Sequence, residues 1–362
     1  MSGNQLKVEI EKAILSISRS VVIIAILFIV VALVFIGTLI DSGTRTNKVS
    51  VAPIDQPSSS GPAPSTGAAE PQPVKISSAL WTAPDAGTMP AGKEGEEILY
   101  GKELIANTSA YLGPNGKVAA ISNGMNCQNC HLDAGTKPWG NNYSAVYSTY
   151  PKFRARSGSN ETIVKRINDC FERSLNGRAL DSTSKEMKAM LAYMKWLGTG
   201  VQKGKTPDGA GIQKLPYLDR AADPKNGATV YSGKCQSCHG PNGEGLAKPD
   251  NTGYLYPPLW GKHSYNDGAG LFRLSRFAGY VKNNMPLGVT HENTQLSDEE
   301  AWDVAAYVNS QTRPHKDQKK DWKDYSKKPV DFPFAPYADK FSEAQHKYGP
   351  FEPIEEFYKN AK

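Results

Sequence analysis

The longest apolar run in the chain is Val21 to Ile40, twenty residues without one charged side chain. At about 1.5 Å rise per residue, a helix over this run spans roughly 30 Å, the hydrocarbon thickness of a bilayer. It predicts an N-terminal transmembrane anchor. A cleaved secretory signal is the alternative, but its apolar stretch is usually about 7–15 residues and ends at a small-residue site. Here Phe35 to Ile40 continue with no A-x-A pattern. Lys7, Lys12 and Arg19 favour a cytoplasmic N-terminus, an asymmetry diluted by Glu9 and Glu11. Residues 41–80 then lose all hydrophobic period, with Pro53, Pro57, Pro62, Pro64, Pro71 and Pro73 among Ser, Gly, Thr and Ala. Such a stretch cannot bury enough apolar surface to offset its ordering entropy, so it reads as a disordered linker.

Beyond the linker the period becomes helical. Glu97 to Thr108 is helix-like, and Asp223-Pro224-Lys225 opens another helical stretch through Gly227, Val230 and Tyr231. Ser297-Asp298-Glu299-Glu300 is a capping box ahead of Ala301, Trp302, Val304, Ala305, Tyr307 and Val308. Thr183-Ser184-Lys185-Glu186 similarly caps a stretch with Met187, Met190, Leu191, Met194 and Trp196. Its methionines have core spacing, and a Met stripe on a helix usually packs. After residue 315, aromatic residues from Trp322 to Phe357 show little helical period. That tail is expected to wrap over the rest rather than dock an electron partner.

Length and charge narrow the classes. At about 150 residues per domain, 362 residues suggest two domains plus extras. A hydrophobic share of 39% with 25 Pro and 33 Gly is low for one compact core, in keeping with a linker and a tail. A net charge of +6, without a Lys/Arg run of five, does not suit a nucleic-acid binder. Five cysteines exclude a disulfide-dense scaffold and leave one thiol unmatched.

Four of the five fall in Cys127-Gln128-Asn129-Cys130-His131 and, 108 residues later, Cys235-Gln236-Ser237-Cys238-His239. C-x-x-C-H is the attachment signature of a c-type haem: the thiols add to the porphyrin vinyls and the His meets the iron. Zinc would need two more ligands near each pair, and a thioredoxin-like site would need βαβ surroundings. Two covalent haem c groups are therefore expected. In the second copy, Met285 of Asn284-Met285-Pro286 is the natural sixth ligand, since the following Pro biases it away from helix and onto a loop. A carbonyl near Pro257-Pro258 is expected to fix the His239 tautomer.

The first copy has no M-P loop before its closing helix. Instead Cys170 follows His131 by 39 residues, in the slot that Met285 occupies 46 residues after His239. A lone Cys is more often an inert buried residue. Around this one, however, Tyr150 to Arg178 carries seven cations against Glu161, Asp169 and Glu172, a net +4. Cations and a metal both depress a thiol pKa. The segment is either a solvated basic face or an anion pocket over a thiolate-ligated haem.

Cys127–His131, the block Arg166-Ile167-Asn168-Asp169-Cys170-Phe171-Glu172-Arg173-Ser174, Cys235–His239, Pro257–Gly261 and Asn284-Met285-Pro286 together resemble the dihaem thiosulfate dehydrogenase family, called tetrathionate reductases in the reverse direction. The likeness covers about residues 95–315. It implies an all-α fold of two cytochrome c-type haem domains, at 81–215 and 216–315; outside the likeness, the chain's own pattern adds a cytoplasmic 1–20, the anchor 21–40, the linker 41–80 and the tail 316–362. It implies that haem 1, held by His131 and Cys170, is catalytic, and that haem 2, held by His239 and Met285, passes electrons on. Arg156, Arg166 and Ser174 fall where the family binds substrate. One departure stands out: some members have a Lys just before the haem 2 Met, whereas here that residue is Asn284, and Lys282 is the nearest substitute.

The expected activity is the oxidative coupling of two thiosulfate ions to tetrathionate, or the reverse, with a small cytochrome c or similar carrier taking the electrons. Paired Arg side chains suit a small dianion, and a soft Cys sulfur can carry a sulfane sulfur covalently. The expected location is the inner membrane, by a single-pass anchor, with the haem domains in the periplasm. The competing readings are a plain membrane-tethered electron shuttle and a sulfur-oxidation cytochrome acting on a carrier-bound substrate.

Overall fold

A computed structural model describes residues 80–361. The stretches expected to be cytoplasmic (1–20) and an anchor (21–40), with nearly all of the expected linker, lie outside the described residues. Among the described residues no helix is long and apolar enough to cross a membrane.

Eight helices of six or more residues carry the described part. The first haem motif sits among α1 (Lys93–Ala106), α2 (Ile163–Arg173) and α3 (Lys185–Leu197). The second sits among α4 (Pro224–Lys234), α5 (Leu274–Asn284) and α6 (Asp298–Ser310). Two more, α7 (Glu343–Tyr348) and α8 (Glu352–Asn360), lie in the C-terminal segment. The all-α expectation needs one amendment. Two short antiparallel ladders are present: β1 (Lys152–Arg154) with β2 (Ser159–Glu161), and β3 (Leu246–Ala247) with β4 (Tyr254–Tyr256). The first ladder closes because Gly158, at φ +64°, turns the chain and donates to the Arg154 carbonyl at 2.9 Å.

Both halves are built by the same close crossing of a first and a last helix. A Cβ on Gly101 of α1 would lie 2.0 Å from the Ala189 carbonyl of α3. A Cβ on Gly227 of α4 would lie 1.9 Å from the Asp303 carbonyl of α6. Only glycine lets the helices approach so closely. Leu104, Ile105, Met187 and Leu197 are fully buried in the first core, each contributing about 1.5–3 kcal/mol of burial. Trp302, Tyr231 and Ala305 centre the second core, which also takes in Phe351 and Ile354 from the C-terminal segment.

The caps explain the helix limits. Ser297 and Glu300 form the expected capping box on α6. On α3 the cap is Ser184, not Thr183, because the Asp181 carboxylate already accepts from the Thr183 amide and hydroxyl at 2.9 Å. Helix α1 starts at Lys93, earlier than its periodicity suggested, after Gly92 at φ +72°. The aromatic tail, read as non-periodic, still forms α7 and α8, because Ser342 caps the first and Pro353 starts the second.

Buried asparagines join the two halves. Asn266, 1% exposed, donates its amide to the Arg173 carbonyl on α2 and its side-chain N–H to Glu172 and Asn176. The C-terminal segment holds both halves as well. Asp321 pairs with Arg173 at 2.9 Å, and the buried Asp331 carboxylate accepts from Arg273 and from the Ser275 amide and hydroxyl.

Candidate functional site

In the first half, a cavity of about 360 Å³ has Cys127, Cys130 and His131 on its walls. The Asn141 carbonyl lies 2.5 Å from His131 Nδ1. A carbonyl only accepts, so Nδ1 carries the proton and Nε2 keeps its lone pair. Burial pushes His131 down to about 4; the Asn141 hydrogen bond opposes this and the Arg166 charge adds to it. The ring is therefore neutral, the form that ligates a metal.

The same cavity is lined by Arg166, Cys170 and Ser174. Their i, i+4, i+8 spacing puts them in one stripe along α2. The helix is fixed by its Thr162 cap, which accepts from the Lys165 amide at 3.2 Å, and by Ile167 and Phe171 buried in the core. Asn168 adds a reciprocal pair, donating to the Leu180 carbonyl and accepting from its amide, both at 3.0 Å. The Cys170 sulfur charge raises the Arg166 guanidinium above its ordinary value, outweighing its burial. Burial pushes the Cys127 and Cys130 thiols up to about 11 and about 12.

Arg156 is placed differently from Arg166. It pairs with the buried Asp169 carboxylate, which also takes Lys165. Burial raises that carboxyl, but the Lys165 hydrogen bond and the Arg156, Lys165 and Arg166 charges outweigh it and hold Asp169 below its usual range. Arg156 lines an adjoining chamber of about 280 Å³, which shares Arg166, Cys170 and Ser174 with the first cavity. Met190 and Met194 line the first cavity, while Met187 packs in the core behind it.

The second half has a cavity of about 350 Å³ lined by Cys235, Cys238, His239 and Met285. His239 Nδ1 lies 2.9 Å from the Pro257 carbonyl, in the segment expected to fix its tautomer. Burial lowers its pKa, against that hydrogen bond, so this ring too is neutral. Met285 caps α5 in an extended conformation (φ −131°, ψ 146°), as a residue before proline should. Lys282 is engaged elsewhere, with the Leu296 carbonyl at 2.6 Å and Asp298 at 2.8 Å. Asn284 is buried and donates to the Trp139 carbonyl of the first half at 3.2 Å. The two cavities also share structure: Gln128, Asn129, Leu132 and Asp133, from and just after the first motif, line the second cavity. The Tyr280 hydroxyl donates to the Asn129 carbonyl at 2.8 Å.

Protein interiors hold few voids larger than a water molecule. Two large cradles, each with a thiol pair and a neutral imidazole with a free Nε2, fit the donor set of a covalently attached haem. One residue of the first cavity escaped the sequence reading. Arg276 reaches it from α5, in the other half of the molecule. Its signal was faint: an Arg three residues after Arg273 and nine before Met285.

Fold and site define a dihaem c-type cytochrome. Residues 117–202 match the family model described as "SoxA/TsdA, cytochrome c domain", and residues 224–312 match that for cytochrome c. The chain is 42% identical over 237 residues to a thiosulfate dehydrogenase of Allochromatium vinosum, covering 64% of this chain and 84% of that one. It is 40% identical over 242 residues to one from Psychrobacter arcticus, covering 66% and 70%. A solved thiosulfate dehydrogenase (TsdBA) from Marichromatium purpuratum superposes with a TM-score of 0.60 at 33% identity, over 66% of this chain and 50% of that chain. The present chain thus spans half the length of that solved one. It belongs to the thiosulfate dehydrogenase family and carries two c-type haems.

Proposed function

We propose that the protein couples two thiosulfate ions to tetrathionate at the first haem and sends the two electrons out through the second, with the reverse reduction using the same groups. The observation that carries this is the convergence of Cys170, Arg166 and His131 on one cavity. Each haem, when bound, accepts one electron at a time and passes it on. His131 and Cys170 would hold the first haem, and His239 and Met285 the second.

The chain's own residues account for the sulfur chemistry. The Cys170 sulfur bonds the sulfane sulfur of one thiosulfate, giving a cysteine S-thiosulfonate with the loss of two electrons. The sulfane sulfur of a second thiosulfate then attacks it, forming the central S–S bond of tetrathionate and returning the Cys170 thiolate. No proton is needed in either step. Arg166 and Ser174 hold the sulfonate of the first ion while the second approaches against like charge. Arg156, through Asp169, orients α2 at the residue next to Cys170. The apolar run Val21–Ile40 supports a single-pass anchor in the inner membrane, with the haem domains in the periplasm and a small cytochrome c as acceptor.

Purified full-length holoprotein given thiosulfate and an artificial one-electron acceptor should form tetrathionate. Cys170→Gly should lower turnover on the order of a hundredfold or more while both haems stay attached. Low-temperature EPR of the oxidised protein should contain a low-spin thiolate-ligated haem that the variant lacks. Unimpaired turnover by Cys170→Gly would overturn the mechanism.

A further inference from the structure

Six arginines line the chamber on the Cys170 side of the first cavity: Arg154, Arg156, Arg166, Arg173, Arg273 and Arg276. Four of them face carboxylates. Arg156 meets Asp169, Arg173 meets Asp321 at 2.9 Å, Arg273 meets Asp331 at 2.5 Å, and Arg154 lies 3.9 Å from Glu161. Arg166 and Arg276 make no ion pair and no side-chain hydrogen bond among the described residues. One comes from each half of the molecule, and both line the first cavity as well as the chamber. Arg276 keeps access to solvent and also lines a wider groove with Lys214, Lys327, Lys328 and Lys359. It therefore stands where the chamber meets the outside.

An independent feature lies in the lining of the same chamber. Trp322, 9% exposed, is part of its lining, and its indole Nε1–H is buried without a hydrogen-bond partner among the described residues. A buried donor left unpaired is costly, and an anion in the chamber would satisfy it. Trp322 is held there by its backbone N–H, which donates to the Arg156 carbonyl at 2.7 Å.

The reaction proposed above needs two anion sites, because two dianions must be held together and tetrathionate has a sulfonate at each end. Arg166 and Ser174, beside Cys170, account for one. We propose that Arg276 and the Trp322 indole N–H form the second, which binds the sulfonate of the incoming thiosulfate or the far sulfonate of tetrathionate. The subsite is thus contributed by the second haem domain and the C-terminal segment, and it selects ions that are sulfonated at both ends. Desolvation in the cleft, and the Arg273 and Arg154 charges against that of Asp331, press the Arg276 guanidinium below its ordinary value. A bound anion relieves that repulsion. This subsite rests on the coupling reaction, and the test separates the two.

The oxidised holoprotein is melted at fixed ionic strength with tetrathionate, with sulfate, or with neither. Tetrathionate should raise the wild-type Tm more than sulfate does, through preferential binding to the folded state. In Arg276→Gln the tetrathionate shift should shrink to the sulfate level. The KM for thiosulfate should rise about ten- to a hundredfold, the loss expected for one charge-assisted contact, and Arg276→Lys should recover part of it. The anion-free Tm should hold, since among the described residues Arg276 has no ion pair or side-chain hydrogen bond to lose. Trp322→Phe keeps the ring, removes only the N–H, and should raise KM several-fold; wild-type behaviour there would remove the indole from the subsite. If Arg276→Gln keeps the full tetrathionate shift and the wild-type KM, the subsite is refuted while the coupling reaction stands. If the wild type fails to oxidise thiosulfate but Arg276→Gln still loses the tetrathionate shift, the subsite stands and the reaction is refuted.

Discussion

Lys282 illustrates how a single side chain is taken out of contention. Its ammonium donates to the Leu296 carbonyl at 2.6 Å and faces Asp298 at 2.8 Å, so reaching the iron of haem 2 would break both contacts. Met285, one residue past the end of α5, lines the second cavity and is the proposed ligand. Met285→Ala is expected to lower the haem 2 potential by on the order of 0.1 V or more, within the roughly 0.8 V that axial ligands span. Lys282→Ala should leave potential and spectrum as they were; spectroelectrochemistry checks both. At this scale the sequence was most legible where chemistry imposes spacing. The C-x-x-C-H motifs, Met285 before its proline, and Cys170 as the odd thiol could all be singled out. Arg276 could not, because what marks it out is that it faces no carboxylate among the described residues while four other arginines of the chamber do, and that depends on the fold. Arg156 and Arg166 looked equivalent in the chain, and only the fold gives one of them Asp169.

Among the elements, the helix crossings carry the most strain-sensitive contacts. The Gly227 backbone touches the Asp303 carbonyl, and the Asp303 carboxylate is itself gripped by both nitrogens of Arg220 and by the Asp223 amide. Neither helix has room to retreat. Gly227→Ala should therefore destabilise by about 3 kcal/mol or more and lower the Tm by roughly 5–10 °C in a thermal melt. Substitution at Gly92, whose φ is +72° but where an added Cβ would meet no atom beyond its chain neighbours within 4 Å among the described residues, tests backbone strain instead of packing. The closing helices α3 and α6 were legible because they have caps and apolar period. Helix α2 was read as a motif block and not as a helix, although Ile163, Ile167 and Phe171 share the same four-residue step as Arg166, Cys170 and Ser174. Both stripes line the first cavity, and the apolar one also packs into the first core; that pairing was the missed signal. The β1–β2 ladder was invisible in the pattern because each strand is only three residues long.

For the molecule as a whole, the C-terminal segment behaves as a clasp across both halves. Its anchor Asp331 is fully buried. Burial raises the carboxyl, but the Arg273 charge and the bonds from the Ser275 hydroxyl, Arg273 and the Ser275 amide outweigh it, leaving the pKa below its ordinary value. A carboxylate depressed in the folded state stabilises fully above its unfolded pKa of about 3.9, and the contribution is lost as pH falls through the lower folded value. Stability should thus be insensitive to this group near neutrality and fall below about pH 4. Asp331→Asn should cost about 3–5 kcal/mol at pH 7, because it strands Arg273, and should flatten the acid limb. Denaturant melts between pH 3 and 7 measure both effects. The tail's aromatic residues hinted that it wraps, but not where it attaches, since that depends on which buried cation lacks a carboxylate before the tail arrives.

The residues between the two cysteines of a haem motif are ordinarily free to drift, because the porphyrin asks nothing of them. Here Gln128 and Asn129 form part of the wall around the second haem, and the Asn129 carbonyl receives the Tyr280 hydroxyl. These two positions answer to both cofactors at once. The halves therefore cannot be exchanged as independent modules: a first domain transplanted from another cytochrome would bring its own x-x pair and reshape the neighbouring haem's surroundings. The Tyr280 bond asks only for a backbone carbonyl there, so such a transplant would test chiefly the shape of that wall.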